Sequence, residues 1–478
     1  MAKNRKRTKI VATLGPACST IEMIESMMES GVNVFRVNFS HADYADVEEK
    51  VKIIREINKR RDFHVAVLAD LQGPKLRVGV MKKGVKLALG DTFTFTTEEC
   101  EGTIEKAFMT YQNFPKDVEA GEHILVDDGK LLFEVIATDR DKNVTTKVLR
   151  GGKLKSKKGV NLPNTNISLP ALTEKDRKDV VFAIGLNVDW IALSFVRTAE
   201  DLMELQEIIK KHSAHKIPII AKIEKPEAVA NIDKITPYCD ALMCARGDLG
   251  VEVPMEQVPL IQKKLVLKAK KAHIPIIIAT QMMETMIENQ VPTRAEVNDV
   301  ANSIMDGADA VMLSGETSVG EYPLEVIQQM RKIIESVENS PLISVPEEFI
   351  QCVNDRYISK TICHQAALMA NTIDAEVITT LTDSGYTAFQ ISSWRPKSNI
   401  LVFSSNRRIL AMLNLLWGVK GVYYDRFVST DQTIEDINNL AHERGFLNDG
   451  DYAINVTSMP VKLRGMANTL RITEYKKS

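Results

Sequence analysis

The sequence has no apolar stretch long enough to cross a bilayer, and no signal-peptide core follows its basic start. The cluster Asn4-Arg5-Lys6-Arg7 is short and runs straight into a strand pattern, so it reads as a solvated end. Net charge is nearly missing as well: 61 basic residues face 63 acidic ones, which excludes the electrostatic footprint of a nucleic-acid or anionic-membrane binder. Cysteine is sparse. The six, Cys18, Cys100, Cys239, Cys244, Cys352 and Cys363, are dispersed without metal-ligand spacing, as expected of reduced thiols in the cytosol. The eight histidines form no HxxxH or similar zinc pattern. These absences predict a soluble, cytoplasmic protein without a disulfide framework.

What is present is apolar and rhythmic. Hydrophobic residues make up 44% of the 478, and a chain of this length divides into about two to four domains. Short runs rich in Val, Ile and Ala recur at 9–13, 32–37, 65–69, 188–193, 218–223, 241–245, 274–279 and 308–313, most of them followed by a helical pattern. They lack strict alternation, as expected of parallel strands covered on both faces. The predicted fold class is α/β, a (β/α)8 barrel. One gap of about a hundred residues follows the third strand. It holds alternating segments such as Thr92-Phe93-Thr94-Phe95, 131–135 and 144–148, separated by turns such as Asp127-Asp128-Gly129. This predicts a β-barrel-like domain, residues 71–170, inserted at the mouth of a barrel made of residues 1–70 and 171–341. Past Asn339-Ser340-Pro341 the pattern restarts, with strands at 376–381, 399–403, 421–424 and 452–456, predicting an open-sheet α/β domain over 342–478.

Lys222 and Glu224, in Ile219-Ile220-Ala221-Lys222-Ile223-Glu224, share one face of an otherwise apolar strand. Buried charges must hold each other, a metal or a ligand, and a structural ion pair is one way to meet that demand. Other polar residues also fall at strand ends: Thr13, Arg36 to Ser40, Asp70, Ser194, Arg246 to Asp248, Thr280-Gln281 and Ser314-Gly315-Glu316. In a barrel those ends form one rim, where catalysis occurs. Two carboxylates, Glu224 and Asp248, suit Mg2+ or Mn2+ rather than zinc. Beside a lysine and an arginine they are equipment for phosphoryl transfer. Gly247 and Asp248 also offer backbone N–H groups to an anion. Thr293-Arg294-Ala295-Glu296 matches a capping box opening a packing helix.

Taken in order, the motifs resemble those of the pyruvate kinases. The matching segments are Thr8-Lys9-Ile10-Val11-Ala12-Thr13-Leu14-Gly15-Pro16, Phe35-Arg36-Val37-Asn38-Phe39-Ser40-His41, Lys157-Lys158-Gly159-Val160-Asn161-Leu162-Pro163, Ala221-Lys222-Ile223-Glu224, Ala245-Arg246-Gly247-Asp248-Leu249-Gly250, Ala279-Thr280-Gln281-Met282 and Met312-Leu313-Ser314-Gly315-Glu316-Thr317. The resemblance implies transfer of the phosphoryl group of phosphoenolpyruvate to ADP, giving ATP and pyruvate, in a homotetramer. It implies Mg2+ on Glu224 and Asp248, Lys222 at the moving phosphoryl group and enolate, and Arg36 on the substrate phosphate. Gly247, Asp248 and Thr280 would hold the substrate carboxylate, with Thr280 and Ser314 near the water path that protonates the enolate. Asn38, His41, Arg77 and Lys158 would surround the nucleotide, and Asp128 on the lid would close against Arg36.

One departure stands out. Many members of that family read Asp-Thr-Lys-Gly-Pro-Glu where this chain has Asp70-Leu71-Gln72-Gly73-Pro74-Lys75. In those members residues matching Asn38, Ser40, Asp70 and the threonine replaced by Leu71 hold K+. Leu71 has no side-chain oxygen, and the fixed charge of Lys75 would repel a monovalent cation and take over its role, so K+ is not expected to be required. A surface lysine beside a retained K+ is the alternative. In the last domain Thr382, Ser384, Gly385 and Thr387 match the effector loop of regulated members, facing a sugar phosphate or nucleotide, with Lys462 and Arg464 at a second phosphate; helix capping uses the same residue types. Two rival readings are a Schiff-base aldolase built on Lys222 and a catalytically inactive phosphometabolite sensor.

Overall fold

The computed structural model describes residues 6–40, 42–163, 165, 167–340, 356–426, 429–459 and 466–477. Eight parallel strands close into a barrel: Lys9–Thr13, Val34–Asn38, Ala66–Asp70, Trp190–Leu193, Ile219–Ile223, Ala241–Ala245, Ile276–Ala279 and Ala310–Leu313. They are referred to below as the first to eighth barrel strands. Each is buried on both faces except for Arg36 and Asn38 on the second strand. The lumen series Val11, Val34, Ala66, Leu68, Ala192, Ile220 and Met312 belongs to one apolar cluster, whereas Ile10, Ala12, Ile219, Ala221 and Ile223 pack outward under the helices.

The lower rim repeats one polar device. Asp189, Asp240 and Asp309 each stand just before a strand and accept, on Oδ2, the first free N–H of a neighbouring strand, from Val67 at 2.7 Å, Ile219 at 3.0 Å and Ile276 at 3.0 Å. Asn33 does the same for Ile10 at 3.1 Å. These acceptors satisfy strand-end donors that a closed sheet leaves without partners.

Between the third and fourth barrel strands the chain leaves to form a six-stranded sheet with a separate apolar core, in the order Val160–Asn161, His123–Val126, Leu131–Thr138, Asn143–Arg150, Thr92–Thr96, Lys106–Phe108. Its Asp127-Asp128-Gly129 turn is left-handed throughout, with φ of 55°, 55° and 78°. The C-terminal unit is a five-stranded sheet ordered Val419–Tyr423, Asn399–Ser404, Val377–Leu381, Tyr452–Thr457, Thr469–Glu474. The first four strands are parallel and the last is an antiparallel edge that the sequence pattern did not signal. This unit packs beneath the barrel: Trp190 Nε1 donates to the Met412 carbonyl at 3.0 Å, and Arg395 pairs with Asp309 Oδ1 at 2.8 Å.

Candidate active site

Strand register decides why charge collects at one rim. Two residues beyond the lumen-facing apolar positions, the same faces carry Thr13, Arg36, Asp70, Ser194, Lys222 and Ser314, so the period of two that fills the barrel also delivers polar groups to its upper mouth. Lys222 is the hub. Its Nζ lies 3.1 Å from Asp70 Oδ1 and 3.0 Å from Glu224 Oε1, and donates to Ser194 Oγ at 2.7 Å. Arg36 shares Asp70, its Nε donating to Oδ2 at 2.6 Å and its Nη1 to Thr13 Oγ1 at 3.0 Å. Glu224 Oε2 accepts the Phe195 N–H at 2.7 Å.

Asp70 and Glu224 are each only 1% exposed, so their charges survive by pairing. Burial opposes the Asp70 carboxylate, but Lys222 and Arg36 outweigh it and hold its pKa below the ordinary range. Burial also opposes the Lys222 ammonium, and here Asp70 and Glu224 prevail and push its pKa upward. For Glu224 burial wins: Lys222 offsets it only in part and the nearby charge of Asp248 adds repulsion, so its pKa is raised. A lysine held protonated is unsuited to Schiff-base attack, which needs the neutral amine, so the aldolase reading fails on this point.

The loops after the sixth and seventh strands meet across the rim. The helix Arg246–Glu252 starts directly after the sixth strand. The Gly247 N–H donates to Thr280 Oγ1 at 2.7 Å, and Thr280 itself sits at φ 71°. Arg246 fixes this corner by donating to the Thr280 carbonyl at 2.8 Å and pairing with Asp299 at 2.7 Å. Glu316 ties the next pair of loops, accepting N–H bonds from Ser314 at 2.7 Å and Met283 at 3.2 Å.

Above the rim and beneath the inserted sheet lies a cavity of about 420 Å³ lined by Lys75, Arg77, Asp128, Lys158, Lys225 and Asp248 among others. Lys75 Nζ donates to Ser40 Oγ at 3.1 Å, and Asn38 Oδ1 accepts the Ser40 N–H at 3.1 Å. Lys75 is exposed as a whole residue, yet partial burial of its ammonium lowers its pKa, with Lys222 and Arg77 adding and Asp248 opposing. Lys158 pairs with Asp127 at 2.8 Å, and Arg77 donates to the Lys157 carbonyl at 2.8 Å.

Asp128 makes no ion pair with Arg36; it stands exposed at the turn, and Arg36 is taken by Asp70. Asp70, at the position matching a cation ligand in K+-binding members of the family, gives one oxygen to Lys222 and the other to Arg36. In the C-terminal unit, Thr382 Oγ1 accepts the Gly385 N–H at 2.8 Å, and Ser384 Oγ accepts that of Tyr386 at 3.4 Å, so the loop's hydroxyls already cap its own backbone, while Thr387 is buried. His41, Lys462 and Arg464 lie outside the described residues. One contact had no sequence signal beyond a second carboxylate four residues after Asp248: Glu252 Oε1 accepts from Lys225 Nζ at 2.7 Å and from Asn161 Nδ2 at 2.8 Å, joining inserted sheet to barrel.

Among the described residues no three His, Cys, Asp or Glu side chains are grouped to hold a metal by themselves. Two carboxylates that repel each other, Glu224 and Asp248, are nevertheless a donor set for a hard divalent cation that draws its remaining ligands from substrate oxygens.

Comparison with known proteins agrees with this geometry. The family model described as the pyruvate kinase barrel domain matches residues 5–327, and the one for the pyruvate kinase alpha/beta domain matches residues 360–473. A pyruvate kinase of Geobacillus stearothermophilus is 41% identical over 474 residues, covering 98% of this chain and 80% of that protein. One from Mycobacterium intracellulare is 39% identical over 468 residues and is covered to 98% on both sides. A crystal structure of a pyruvate kinase from Cryptosporidium parvum superposes with a TM-score of 0.92 at 33% identity, covering 99% of this chain and 97% of that one.

Proposed function

The chain belongs to the pyruvate kinase family, a phosphotransferase family of glycolysis, and on that premise we propose how its own residues move the phosphoryl group of phosphoenolpyruvate to ADP. Arg36 is locked at Nε and Nη1, and its Nη2, which has no partner among the described residues, is the group offered to the substrate phosphate. Gly247, Asp248 and Thr280 receive the substrate carboxylate, the Gly247 N–H exchanging its bond to Thr280 for one to the ligand. Glu224 and Asp248 hold Mg2+ or Mn2+, which supplies charge neutralisation at the phosphoryl oxygens. Lys222, kept charged by Asp70 and Glu224, faces the transferring group and the enolate oxygen that gains charge as the bond to phosphorus breaks. A proton then reaches the enolate carbon through water beside Thr280 and Ser314.

The nucleotide occupies the basic cavity, with Asn38, His41, Arg77 and Lys158 around it and residues 71–170 acting as a lid that excludes water. Lys75 replaces K+, a reading supported by its 3.1 Å bond to Ser40, one of the residues aligned with the cation ligands of relatives. By the same family resemblance the enzyme is a cytoplasmic homotetramer, with Thr382, Ser384, Gly385 and Thr387 as an effector loop in a regulatory unit 342–478.

The single observation that carries the assignment is Lys222 held between two buried carboxylates at the barrel mouth. The test is pyruvate formation from phosphoenolpyruvate and ADP with Mg2+, with and without K+. Wild type is expected to be insensitive to K+, Lys222→Ala to lose about 10²–10³ in kcat, and Lys75→Glu with Leu71→Thr to acquire K+ dependence. Strong K+ activation of wild type at saturating substrate sinks the Lys75 reading while leaving the Lys222 assignment to its own variant.

A further inference from the structure

The inserted domain is tied to the barrel by contacts of two kinds. Where the chain leaves the third barrel strand, the Leu71 carbonyl accepts from Ser194 Oγ at 2.7 Å, and the Gly73 N–H donates to Asp176 Oδ1 at 3.1 Å. Where it returns, Arg197 donates through Nη1 and Nη2 to the Ile167 and Leu169 carbonyls, each at 2.6 Å. Both places hold backbone at the base of the insertion, so they act as pivots. The other kind comes from a side chain of the sheet itself. Asn161 Nδ2 donates to Glu252 Oε1 at 2.8 Å, among the described residues the only hydrogen bond from a strand of that sheet to the barrel.

Glu252 gives that contact its strength. Its side chain is 1% exposed and Oε2 is buried without a partner, so the carboxylate depends on two donors to Oε1, Lys225 at 2.7 Å and Asn161. Lys225 stands just past the fifth barrel strand and stays with the barrel. Asn161 travels with the sheet. Val160 and Asn161 pair with Val126 and Leu125, next to Asp127, whose ion-pair partner Lys158 lines the 420 Å³ cavity. On the barrel side, Glu252 ends the helix Arg246–Glu252, one turn beyond Asp248. We propose that Asn161 and Glu252, with Lys225 as counter-ion, are positioning residues: a clasp that sets the closed position of the inserted domain and brings Lys158 over the substrate groups at Gly247 and Asp248. This clasp rests on the phosphotransferase reading above, in which Lys158 faces the nucleotide. Because Gly247 and Asp248 share a seven-residue helix with Glu252, a ligand seated on them fixes the acceptor that Asn161 must find, so binding and closure reinforce each other.

The test compares full-length wild type, Asn161→Asp, and the exchanged pair Asn161→Asp with Glu252→Gln. Asn161→Asp removes the donor with almost no change in volume and sets a second carboxylate against Glu252. The pair restores one amide, one carboxylate and a counter-ion for Lys225. Hydrogen exchange is read peptide by peptide with phosphoenolpyruvate and Mg2+ present and ADP absent, so that the site is filled without turnover. Wild type should show ligand-induced protection in segments 121–133 and 155–162, which Asn161→Asp should lose and the pair regain. In steady state Asn161→Asp should lower kcat by about tenfold or more, as loss of a hydrogen bond to a charged group does, and should raise the KM of phosphoenolpyruvate less, since that substrate's ligands lie on the barrel. The pair should recover most of kcat; Asn161→Gln, which keeps the donor on a longer arm, supplies the rescue if the pair folds poorly. Absence of ligand-induced protection in wild type, wild-type exchange and kcat in Asn161→Asp, or a loss that neither rescue relieves overturns the clasp. A wild type that forms no pyruvate overturns the phosphotransferase reading instead, and the exchange maps then judge the clasp by themselves.

Discussion

Lys222, Asp70 and Glu224 are one electrostatic unit, and removing its centre exposes the cost of the rest. Lys222→Met leaves the buried Glu224 without its cation and Asp70 with Arg36 alone, and should destabilise the fold by about 3–5 kcal/mol, read by urea unfolding at neutral pH. The loss should shrink on acidification. Burial already raises the Glu224 carboxyl pKa, so without the lysine its protonated form favours the fold at low pH, and that benefit disappears as pH rises through the folded pKa. A pH-independent loss would mean the site rehydrates instead. Gly73 is constrained just as closely: its φ is 68°, and a Cβ there would lie 2.7 Å from Phe195 Cδ2 and 3.0 Å from the Cβ of Ser194, the residue that bonds Lys222. Gly73→Ala should cost roughly 1–3 kcal/mol and lower kcat more than it raises KM; wild-type kinetics in that variant would show that the loop has room to give.

Among the elements, the helix Arg294–Asp306 links stability to chemistry. Thr293 Oγ1 accepts the Glu296 N–H at 3.2 Å, and the Glu296 carboxylate returns to the Thr293 N–H at 2.7 Å and to Thr285. The same helix carries Asp299, which anchors Arg246 and through it the Thr280 carbonyl. Thr293→Ala should therefore cost about 1 kcal/mol in equilibrium unfolding, with a measurable drop in kcat because the helix it caps carries Asp299, which holds Arg246 against the Thr280 carbonyl. Loss of stability with no change in rate would confine the cap to packing.

For the whole molecule, the junction between barrel and C-terminal unit carries two acid-sensitive histidines. Burial keeps His64 and His273 neutral, lowering each from 6.5 to about 4. His273 bonds Ser393 at 2.7 Å, and a Cβ on Gly421 would meet the His64 ring at 3.2 Å, so both imidazoles sit against the C-terminal unit. The unfolded chain takes up these protons near pH 6.5 and the folded one only near pH 4. Their contribution is full above pH 6.5 and is lost progressively as pH falls toward 4, on the order of 1–3 kcal/mol per histidine. Urea midpoints at pH 7 and 5 for wild type and His64→Gln check this: the acid-induced drop should be smaller in the variant, and an equal drop in both would place the sensitivity elsewhere.

Periodicity and spacing made the eight barrel strands, the β-rich insertion and the C-terminal sheet legible, because each strand's apolar run is a local property of the chain. They also placed Arg36, Asp70, Lys222, Glu224, Asp248 and Thr280 at strand ends, and a barrel has only one catalytic rim. What no local pattern contains is which charge meets which. That Asp70 serves Lys222 and Arg36 together, that Glu252 joins Lys225 to Asn161, and that Asp189 alone of three equivalent aspartates keeps an oxygen free all depend on groups far apart in sequence. The sequence by itself determined the elements and the chemistry available. Closing the barrel and docking the two further sheets decided the pairings, because Coulomb and hydrogen-bond energies turn on separations of a few ångströms that only the packed chain sets.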